Sequence, residues 1–412
     1  MNAEIIAVGS EMLTPERVDT NSLYLTGELN GLGVEVVAKC VIGDDRQRLA
    51  AAIRDAVSRS PIVIVSGGLG PTEDDVTRDA VALALGRQLV FRPELAEGIA
   101  QRFARMKRTM AEINKRQAFL VEGAEALPNS RGTAPGQWME ASGAVLMLLP
   151  GPPHELSAMF EEHCRPRLAG IVPELAIRTL LLRVTAMAES ELDQLIAPVY
   201  TRYQNPATTI LAAGGDLQVH LRARCATVEE ADALLAEVGG PIEAILGDRL
   251  YSRNGDPLEV VVGNLLRAAG ATVSVAESCT GGLLGGRLTQ TPGSSDYFVG
   301  GFIVYSNELK TRLLGVPPET IARFGAVSRE TAEAMALGAR ARTGSTCAIA
   351  ITGVAGPASS EAKPVGTVYI AVADAAGTHV AHRVFIGDRA RIRMFTAQMA
   401  LDTLRRRLIG KP

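Results

Sequence analysis

The chain has 412 residues, of which 47% are hydrophobic and 21% charged, and its formal net charge at pH 7 is −3. This balance is typical of a globular enzyme and excludes a disordered or collagen-like chain. The small negative charge gives no reason to expect a nucleic-acid partner. The length predicts two or three domains.

No stretch has the basic start and apolar run of a signal peptide, and the longest apolar runs, such as "AVLMLLP", are too short to span a bilayer. We therefore expect a cytoplasmic protein with no membrane partner. The five cysteines are scattered and lack C-x-x-C spacing, so neither a disulfide framework nor a zinc ribbon is indicated. The stretch "HELSAMFEEH" lacks the H-E-x-x-H spacing of a zinc site.

Alternating strand and helix patterns fill residues 1–170, which predicts an α/β domain with a largely parallel sheet. The predicted strands are "AEIIAVGSE", "VEVVAKCVI", "PIVIVSGG" and a later one in "GAVLMLLPGPPHEL". The predicted helices cover residues 21–31, 46–59 and 76–86.

The pattern changes over residues 171–252, where the strands "IRTLLLRVTA" and "LQVHLRARC" alternate with helices predicted at 189–200 and 228–246. A stretch of this size predicts a small α+β domain. After the turn-rich linker "SRNGDP", residues 253–412 predict another α/β domain. Its helices are expected at 258–269, 329–342 and 388–408, and its strands include "TCAIAIT" and "VGTVYIAVA".

The stretch "VAESCTGG", residues 275–282, joins a predicted strand to a predicted helix. Doubly wound α/β proteins place ligand chemistry at such carboxyl ends of strands. Ser278 lies in this turn, but a serine hydroxyl becomes a nucleophile only when a nearby base takes its proton. The chain has 6 lysines against 36 arginines, so a retained lysine points to a position where an amine that can lose its proton is needed.

Lys310 is the candidate base. In "FIVYSNELKTRLLG" a strand is predicted to end at Tyr305 and a helix to begin near Ser306. Lys310 would then lie in the first helical turn, where the helix dipole disfavours a charged ammonium and lowers the lysine pKa. Ser278 and Lys310 therefore form a candidate Ser-Lys pair, with Tyr305 close enough in sequence to orient or relay the proton.

Further groups near this pair fit acyl transfer. The backbone N–H groups of the "SCTGG" turn are predicted to hold an oxyanion or an anionic substrate group. The small-residue loops "TPGSSDYFVGG" and "ITGVAGP" supply hydroxyl donors, namely Ser294, Ser295 and Thr352. Arg389 and Arg393 are four residues apart on the last predicted helix, share one face and suit a phosphate.

Other interpretations of the same residues remain open. Thr280 is also a good N-cap residue, the glycines can simply turn the chain, and Lys310 can be an ordinary solvated lysine. Cys279 is a rival nucleophile, with His379 or His382 as its base. The pattern Ser-x-Thr-Gly-Gly alone does not decide between a reactive site and a capped helix.

Several stretches, in order, resemble the C-terminal domain of the CinA family, a nicotinamide-nucleotide amidase (PncC-like) module. They are "VAESCTGG", "TPGSSDYFVGGFIVYSNELKTRLLGV", "GAVSRETAEAMA", "AITGVAGP", "KPVGTVYIAV" and "GDRARIR", and they span nearly all of residues 253–412. The resemblance implies hydrolysis of nicotinamide mononucleotide to nicotinic acid mononucleotide and ammonia, with no cofactor at this site.

The same resemblance assigns roles to residues. It implies that Ser278 and Lys310 are the catalytic dyad, with Tyr305 as the helper tyrosine. The implied substrate-binding positions are Thr280, Gly281, Gly282, Ser295, Thr352, Gly353 and Arg393. The loop Ala358-Ser359-Ser360 departs from the glycine-rich sequence that is common in the family, which leaves the flexibility of this loop and its effect on substrate affinity open.

A second candidate site lies in "VSGGLGPTEDDVTRDAVA", where a glycine-rich turn follows a predicted buried strand and precedes a helix. Gly67, Gly68 and Gly70 allow the backbone to approach a phosphate closely, and the helix N terminus favours the anion. The lysine of a Walker A loop is missing, so this is a different kind of phosphate loop.

Carboxylates recur at the ends of the neighbouring predicted strands; they are Glu11, Asp44, Asp45, Asp74 and Asp75. Acids beside a phosphate require a cation between them, and an all-oxygen ligand set suits Mg²⁺ or Mn²⁺. Glu11, Asp45 and Asp75 are the candidate metal ligands. In the alternative interpretation, Thr72 and Asp75 form a capping box whose acids serve only the helix.

This half of the chain resembles the N-terminal domain of the CinA family, which is similar to the three-layer MogA/MoaB-like molybdopterin-binding fold. The resemblance rests on "GSEML", "DTNSLYL", "GGLGPTEDDVTRD", "LPNSRGTAPG" and "LPGPPHEL". It implies cleavage of ADP-ribose to AMP and ribose 5-phosphate with a divalent metal (Mg²⁺, Mn²⁺ or Co²⁺), with the phosphate held at Gly67, Gly68, Gly70 and Thr72. The middle segment, with "GGDLQVHLRA", follows the family as a small linking domain without assigned chemistry.

Together these patterns predict a bifunctional, homodimeric enzyme of pyridine-nucleotide salvage, with nicotinamide mononucleotide and ADP-ribose as substrates. Two alternatives stay open, because fold resemblance does not fix function. One is a molybdopterin-binding or molybdopterin-adenylating protein that acts through the N-terminal domain. The other is a non-enzymatic factor in competence or DNA damage, against which the slightly acidic composition argues.

Overall fold

The computed structural model describes every residue of the chain except 174, 361 and 412. The chain divides into two compact units, one formed by Met1–Arg178 and Arg224–Asp232 and the other by Thr179–Ala223 and Ala233–Pro412. Most of the predicted middle segment therefore belongs to the second unit, together with the C-terminal domain.

Up to residue 170 the structure contains the four predicted strands and the three predicted helices, together with strands and a helix between residues 89 and 141 that the sequence did not predict. The elements of this segment are β1 (Asn2–Val8), α1 (Thr20–Gly31), β2 (Glu35–Ile42), α2 (Arg46–Arg59), β3 (Ile62–Ser66), α3 (Thr77–Leu85), β4 (Leu89–Phe91), α4 (Pro93–Arg105), β5 (Phe119–Val121), β6 (Glu125–Leu127), β7 (Gly136–Ala141), β8 (Ala144–Leu149), α5 (Pro153–Met159) and α6 (Arg165–Ala169). Short 3₁₀ helices lie at Ser10–Leu13 and Glu112–Ala118, and a π-helical turn at Phe160–Cys164.

The main sheet of the first unit has the strand order β2-β1-β3-β8-β7-β6. Strands β2, β1, β3 and β8 are parallel to one another. Strand β7 pairs antiparallel with β8, and β6 pairs antiparallel with β7. The chain passes from β1 to β2 on one side and then to β3 on the other side of β1. This places a topological switch point between β1 and β3, where α/β proteins bind ligands beyond the strand carboxyl ends.

Both faces of this sheet are covered by helices. Alternate side chains of β3 enter different cores: Val63 and Val65 pack with residues of α2 and α3, whereas Ile62 and Ile64 pack with residues of α1 and α5. Each fully buried aliphatic side chain of this size contributes about 1.5–3 kcal/mol to folding. The three-layer α/β fold predicted for this segment is therefore confirmed.

From residue 176 onward the elements belong mainly to the second unit. They are β9 (Ala176–Val184), α7 (Glu189–Tyr200), β10 (Ala207–Ala213), β11 (Asp216–Cys225), α8 (Val228–Leu246), β12 (Leu250–Ser252), α9 (Leu258–Ala268), β13 (Val273–Glu277), α10 (Leu283–Gln290), β14 (Phe298–Ile303), α11 (Asn307–Leu314), α12 (Pro318–Phe324), α13 (Arg329–Thr343), β15 (Cys347–Gly353), β16 (Thr367–Asp374), β17 (Gly377–Val384) and α14 (Arg389–Leu408). Two more 3₁₀ helices lie at Gly247–Arg249 and Ser294–Asp296.

These strands form two sheets. A four-stranded sheet has the order β10-β11-β9-β12, and a five-stranded sheet has the order β14-β13-β15-β16-β17. The sequence predicted only two strands between residues 171 and 252, and it missed β10 and β12. β12 is three residues long and β10 is an edge strand, so neither shows the pattern of a buried strand.

The five-stranded sheet is also a central layer. Residues of α9, α10 and α14 pack on one face, and residues of α11 and α13 on the other. Strands β14, β13 and β15 are parallel, and Glu277 lies in register with both Ile303 and Ile351. The segments that follow these three strands therefore meet at one edge of the sheet, and Ser278 is one of them.

Candidate active site

The turn after β13 is shaped by two glycines. Ser278 follows the buried strand directly, and its N–H donates to the Ile351 carbonyl of β15 at 3.1 Å. Gly281 and Gly282 have φ values of 58° and 94°, a left-handed region that glycine enters without steric cost. These two residues reverse the chain so that α10 begins at Leu283.

Glu277 caps the helix that follows. Glu277 is only 1% exposed. Its carboxylate accepts hydrogen bonds from the N–H groups of Gly282, Leu284 and Gly285 at 3.0, 3.1 and 2.8 Å. The first N–H groups of a helix have no partner within the helix and need such an acceptor. The alternative in which Thr280 caps α10 is wrong, because no side-chain cap bond is formed by that residue.

Ser278 and Lys310 are in contact. The Lys310 Nζ atom donates to Ser278 Oγ at 3.2 Å and to the Val304 carbonyl at 3.1 Å. Ser278 is 8% exposed and Lys310 2% exposed. The alternative of a solvated surface lysine is therefore wrong. Lys310 reaches the serine because Ser306 starts α11 as its N-cap, accepting a bond from Leu309 N–H.

Tyr305 lies on the rim of this cluster. Its side chain is exposed, and its hydroxyl accepts a bond from Arg389 Nη2 at 2.8 Å. Arg389 also donates to the Gly356 carbonyl at 2.8 Å. Within the described residues, the Tyr305 hydroxyl is bonded to neither Ser278 nor Lys310. Arg389 of α14 therefore connects Tyr305 with the loop after β15.

Arg393 approaches the turn from α14. Its Nη2 atom donates to the Thr280 carbonyl at 2.6 Å. In the described part of the chain, the buried Arg393 Nε and the buried Thr280 Oγ1 have no hydrogen-bond partner. Buried polar atoms are rarely left unpaired, so these two groups mark the side of the turn where a polar ligand would be bound.

Two predicted hydroxyl donors end in different places. Thr352 Oγ1, at the end of β15, donates to the Ala326 carbonyl at 2.7 Å, and Gly353 follows it. Ser295 lies before β14, near the start of β13, because Val273 and Phe298 are in register. The five residues of β13 separate the two edges by roughly 16 Å. Within one chain, Ser295 is therefore not brought to the Ser278 cluster, contrary to the expectation from its loop.

The rival nucleophile is not assembled. Burial raises the pKa of the Cys279 thiol to about 11, which disfavours the reactive thiolate. His379 and His382 lie on β17, three strands away from β13 in the sheet, which is about 14 Å. His382 instead stacks on Tyr369 at a ring-centroid distance of 4.6 Å. The Cys-His alternative is therefore wrong.

The glycine-rich loop of the first unit lies at the switch point between β1 and β3. Gly67 and Gly68 have φ values of 105° and 64°. Buried Arg78 holds the loop by donating to the Leu69 and Gly70 carbonyls at 2.7 and 2.6 Å. Burial lowers the pKa of Arg78 to about 10. The sequence reasoning missed Arg78, although an arginine inside a predicted apolar helix face was a visible signal.

The Asp75 carboxylate folds back onto this loop. It accepts bonds from Gly70 N–H at 2.7 Å, Thr72 N–H at 2.8 Å and Thr72 Oγ1 at 2.5 Å. The N-cap of α3 is Val76, without a side-chain cap bond. The capping-box alternative is therefore wrong, since Thr72 and Asp75 close a turn ahead of the helix.

The other two candidate metal ligands are also engaged locally. Asp45 caps α2 by accepting bonds from Gln47 and Arg48 N–H groups at 2.9 and 3.0 Å. The Glu11 carboxylate lies over Gly9. Among the residues that the structure describes, no group of three or more His, Cys, Asp or Glu is arranged to hold a metal ion. The metal site thus stays a prediction from the sequence.

Comparison with known proteins places these sites in a family. Family models match the "CinA C-terminal domain" over residues 255–408, the "Damage-inducible protein CinA KH domain" over 179–252 and the "Probable molybdopterin binding domain" over 4–170. A CinA-like protein of Solibacter usitatus is 69% identical over 412 residues, which cover 100% of this chain and 99% of that protein. The chain belongs to the CinA family.

Two further proteins are similar to this chain. A CinA-like protein of Koribacter versatilis is 51% identical over 414 residues, covering 99% of this chain and 100% of that protein. The crystal structure of competence/damage inducible protein CihA from Agrobacterium tumefaciens is 43% identical and covers 36% of this chain and 91% of that chain, with a TM-score of 0.35. No described helix of this CinA chain is long and apolar enough to cross a membrane.

Glu277 is the residue of the CinA C-terminal site that sequence reasoning overlooked. In the motif "VAESCTGG" the serine and the cysteine are the predicted nucleophile candidates, and the glutamate has no predicted role. A carboxylate that ends a buried strand just before a Gly-Gly helix start is the signal that predicts such a cap.

Proposed function

We propose that the C-terminal domain hydrolyses the carboxamide of nicotinamide mononucleotide, releasing nicotinic acid mononucleotide and ammonia. The observation that supports this proposal most is the 3.2 Å contact between Lys310 Nζ and Ser278 Oγ, two buried groups at the carboxyl edge of the sheet. A serine paired with a lysine in this way has the parts of a Ser-Lys amidase.

The first step is attack on the amide carbon. Burial favours the neutral form of an amine, and neutral Lys310 takes the proton of Ser278 as Oγ bonds to the carbonyl carbon. The tetrahedral intermediate carries a negative oxygen. In the described residues, the N–H groups of Cys279 and Thr280 donate to no backbone carbonyl, and we assign them to this oxyanion.

The second step releases ammonia. Protonated Lys310 returns its proton to the amide nitrogen, the C–N bond breaks, and an ester of Ser278 with the nicotinoyl group remains. Water then attacks this ester with Lys310 again as the base, which regenerates the serine. No metal is assigned to these steps. The substrate phosphate is assigned to Arg393, whose Nε is buried and unpaired.

The test is ammonia release from nicotinamide mononucleotide by the full-length protein, with and without EDTA. We expect the wild type to be active in EDTA and Ser278→Ala and Lys310→Arg to lose at least about 10³-fold in kcat, because serine and base act as a unit and arginine stays charged. Ser58→Ala and Lys115→Arg, both exposed residues of the first unit, are the matched controls and should keep wild-type activity. A silent wild type, or active Ser278 and Lys310 variants, would contradict the proposal.

We further propose that the N-terminal domain cleaves ADP-ribose to AMP and ribose 5-phosphate with a divalent metal. The supporting observation is that Glu11, Asp45 and the Gly67–Gly70 loop follow β1, β2 and β3, whose carboxyl ends lie at the same edge of the sheet. The three candidate carboxylates do not share a common point in the structure, so no catalytic step is derived through a metal.

The measurement for this second site is AMP formation from ADP-ribose with Mg²⁺, Mn²⁺ or Co²⁺ and after EDTA treatment. We expect activity only with metal, and a loss of at least about tenfold in Asp75→Ala. Asp55→Ala, an exposed acid on α2, is the control. If the protein instead adenylates molybdopterin with ATP, or binds DNA in a salt-sensitive manner, the corresponding alternative function replaces this one.

A further inference from the structure

A cleft of about 800 Å³ lies inside the second unit, and no residue of the Ser278 turn is among the described residues that line it. One wall is α14, a second is the turn between β9 and α7, and a third is the end of β17. Ligand sites for small molecules typically have volumes of about 300–1,000 Å³. The cleft therefore has the size of a small-molecule site.

The tip of the β10–β11 hairpin closes one end of this cleft. Gly214 and Gly215 lie so close to α14 that an added Cβ would be 3.0 Å from Met394 Sδ and 3.0 Å from a Phe395 ring carbon. Both glycines also have positive φ values of 61° and 87°. The hairpin backbone thus packs directly on the helix, and this end of the cleft is a fixed wall.

The acids that line the cleft are largely engaged by the protein itself. Asp216 accepts bonds from the Tyr251 hydroxyl at 2.6 Å and from Arg183. Asp402 accepts bonds from Arg405 and Arg406, each at 2.8 Å. Asp388 caps α14 by accepting from Arg391 N–H at 2.8 Å. Glu189 lies in the first turn of α7, where the helix dipole balances its charge.

Two of the arginines that line the cleft are not paired with a carboxylate in the described part of the chain. Arg383 and Arg391 are exposed and, in the part of the chain that the structure describes, form no ion pair. Arg383 donates to the neighbouring His382 carbonyl at 2.8 Å. The Arg391 guanidinium lies over the Phe395 ring at 5.1 Å. These two guanidinium groups are therefore the positive charge that the cleft offers to an anion, beside the acids Glu189 and Asp388 at the starts of α7 and α14.

The rest of the cleft lining is largely apolar and includes three flexible methionine and two phenylalanine side chains, namely Met187, Phe385, Met394, Phe395 and Met399. Aromatic rings and thioethers pack favourably on flat aromatic groups. We propose that this cleft binds a small molecule that consists of a flat aromatic ring with one anionic group, the ring between the methionine and phenylalanine side chains and the anion on Arg391 and Arg383.

The test uses two fluorescent probes with the same ring system and the full-length protein. 1-Anilinonaphthalene-8-sulfonate carries an anion, whereas N-phenyl-1-naphthylamine does not. We expect saturable binding of one sulfonate probe per chain, with the neutral probe at least about tenfold weaker, because a charge-assisted bond to guanidinium is lost. Equal affinity for both probes, or several weak sites per chain, would overturn the proposal.

Variants locate the binding in the cleft. Arg391→Gln and Arg383→Gln should each weaken the sulfonate probe by at least about tenfold, and Ala390→Trp should abolish its binding by filling the space between the walls. Arg342→Gln, an exposed arginine on α13, is the matched control. The midpoint of thermal unfolding is measured for each variant. Unchanged probe affinity in the three cleft variants, with unfolding midpoints like the wild type, would refute the cleft as the site.

Discussion

At the scale of single residues, the C-terminal site depends on the Glu277 carboxylate, to which no catalytic step is assigned. Glu277 bonds to three N–H groups of the α10 start, which leaves the amides of Cys279 and Thr280 for another acceptor. The sequence predicted that the whole "SCTGG" turn would offer its amides to an anion. The structure reduces the number of available amides, because the Glu277 carboxylate already accepts bonds from the N–H groups of Gly282, Leu284 and Gly285.

Glu277→Gln tests this division of the amides. We expect kcat for ammonia release to fall by about 10–100-fold with a smaller change in KM, since a glutamine amide group facing N–H donors displaces the turn that carries Ser278. Glu308→Gln, an exposed acid of α11 paired with Arg312 on the surface, should be neutral. A variant with lowered thermal stability but wild-type kcat would reduce Glu277 to a purely structural cap.

Ser278 and Lys310 could be paired from sequence, because each lies directly after a predicted strand at a helix start. The position of Ser295 could not be predicted. Strand direction decides which edge of the sheet a loop reaches, and the sequence of β13 or β14 alone does not determine the register between these two strands. Tyr305 was expected beside the dyad, whereas its hydroxyl is bonded to Arg389, a partner from a helix 84 residues away.

At the scale of elements, helix bounds were the most predictable feature. Helix α2 covers the predicted residues 46–59, and α14 begins one residue after the predicted start at 388. Both helices have an aspartate N-cap, Asp45 and Asp388, which fixes the first turn locally. Short strands such as β12 depend on partners distant in sequence, so local patterns do not predict them.

The contact of α13 with α11 depends on a residue without a side chain. A Cβ at Gly338 would collide with the Leu314 carbonyl, whereas a Cβ at Gly286 in α10 would have nothing within 4 Å. We expect Gly338→Ala to destabilise the protein by about 1–3 kcal/mol through overpacking. Gly286→Ala should stabilise it by roughly 0.5–1 kcal/mol, as alanine favours a helix interior. Denaturant unfolding measures both, and equal effects would contradict this account of the packing.

At the scale of the whole molecule, the two candidate sites belong to different compact units. Each is built from the carboxyl edge of its own sheet, and each unit has its own buried cores. Three-layer architecture could be predicted from alternating strands and helices. The assignment of most of the middle segment to the second unit could not, because it depends on contacts between elements distant in sequence.

Separate units predict separable activities. Ser278→Ala should leave AMP formation from ADP-ribose within about twofold of wild type, and Asp75→Ala should leave ammonia release equally unaffected, because each site is built from residues of its own unit and independent sites act additively. Both activities are measured on the same preparations. A loss of both activities in either variant would indicate that the sites are energetically coupled.

The Asp75 carboxylate binds the amides of the glycine-rich loop that a phosphate would otherwise bind. It occupies the space that a Cβ at Gly70 would take, and it holds the Gly70 and Thr72 amides. A phosphate from solution must therefore compete with a tethered carboxylate, whose effective concentration is on the order of millimolar or higher. Any event that neutralises or withdraws this carboxylate frees both amides together. The affinity of the loop for phosphate is thus set by an intramolecular competitor as well as by its glycine geometry.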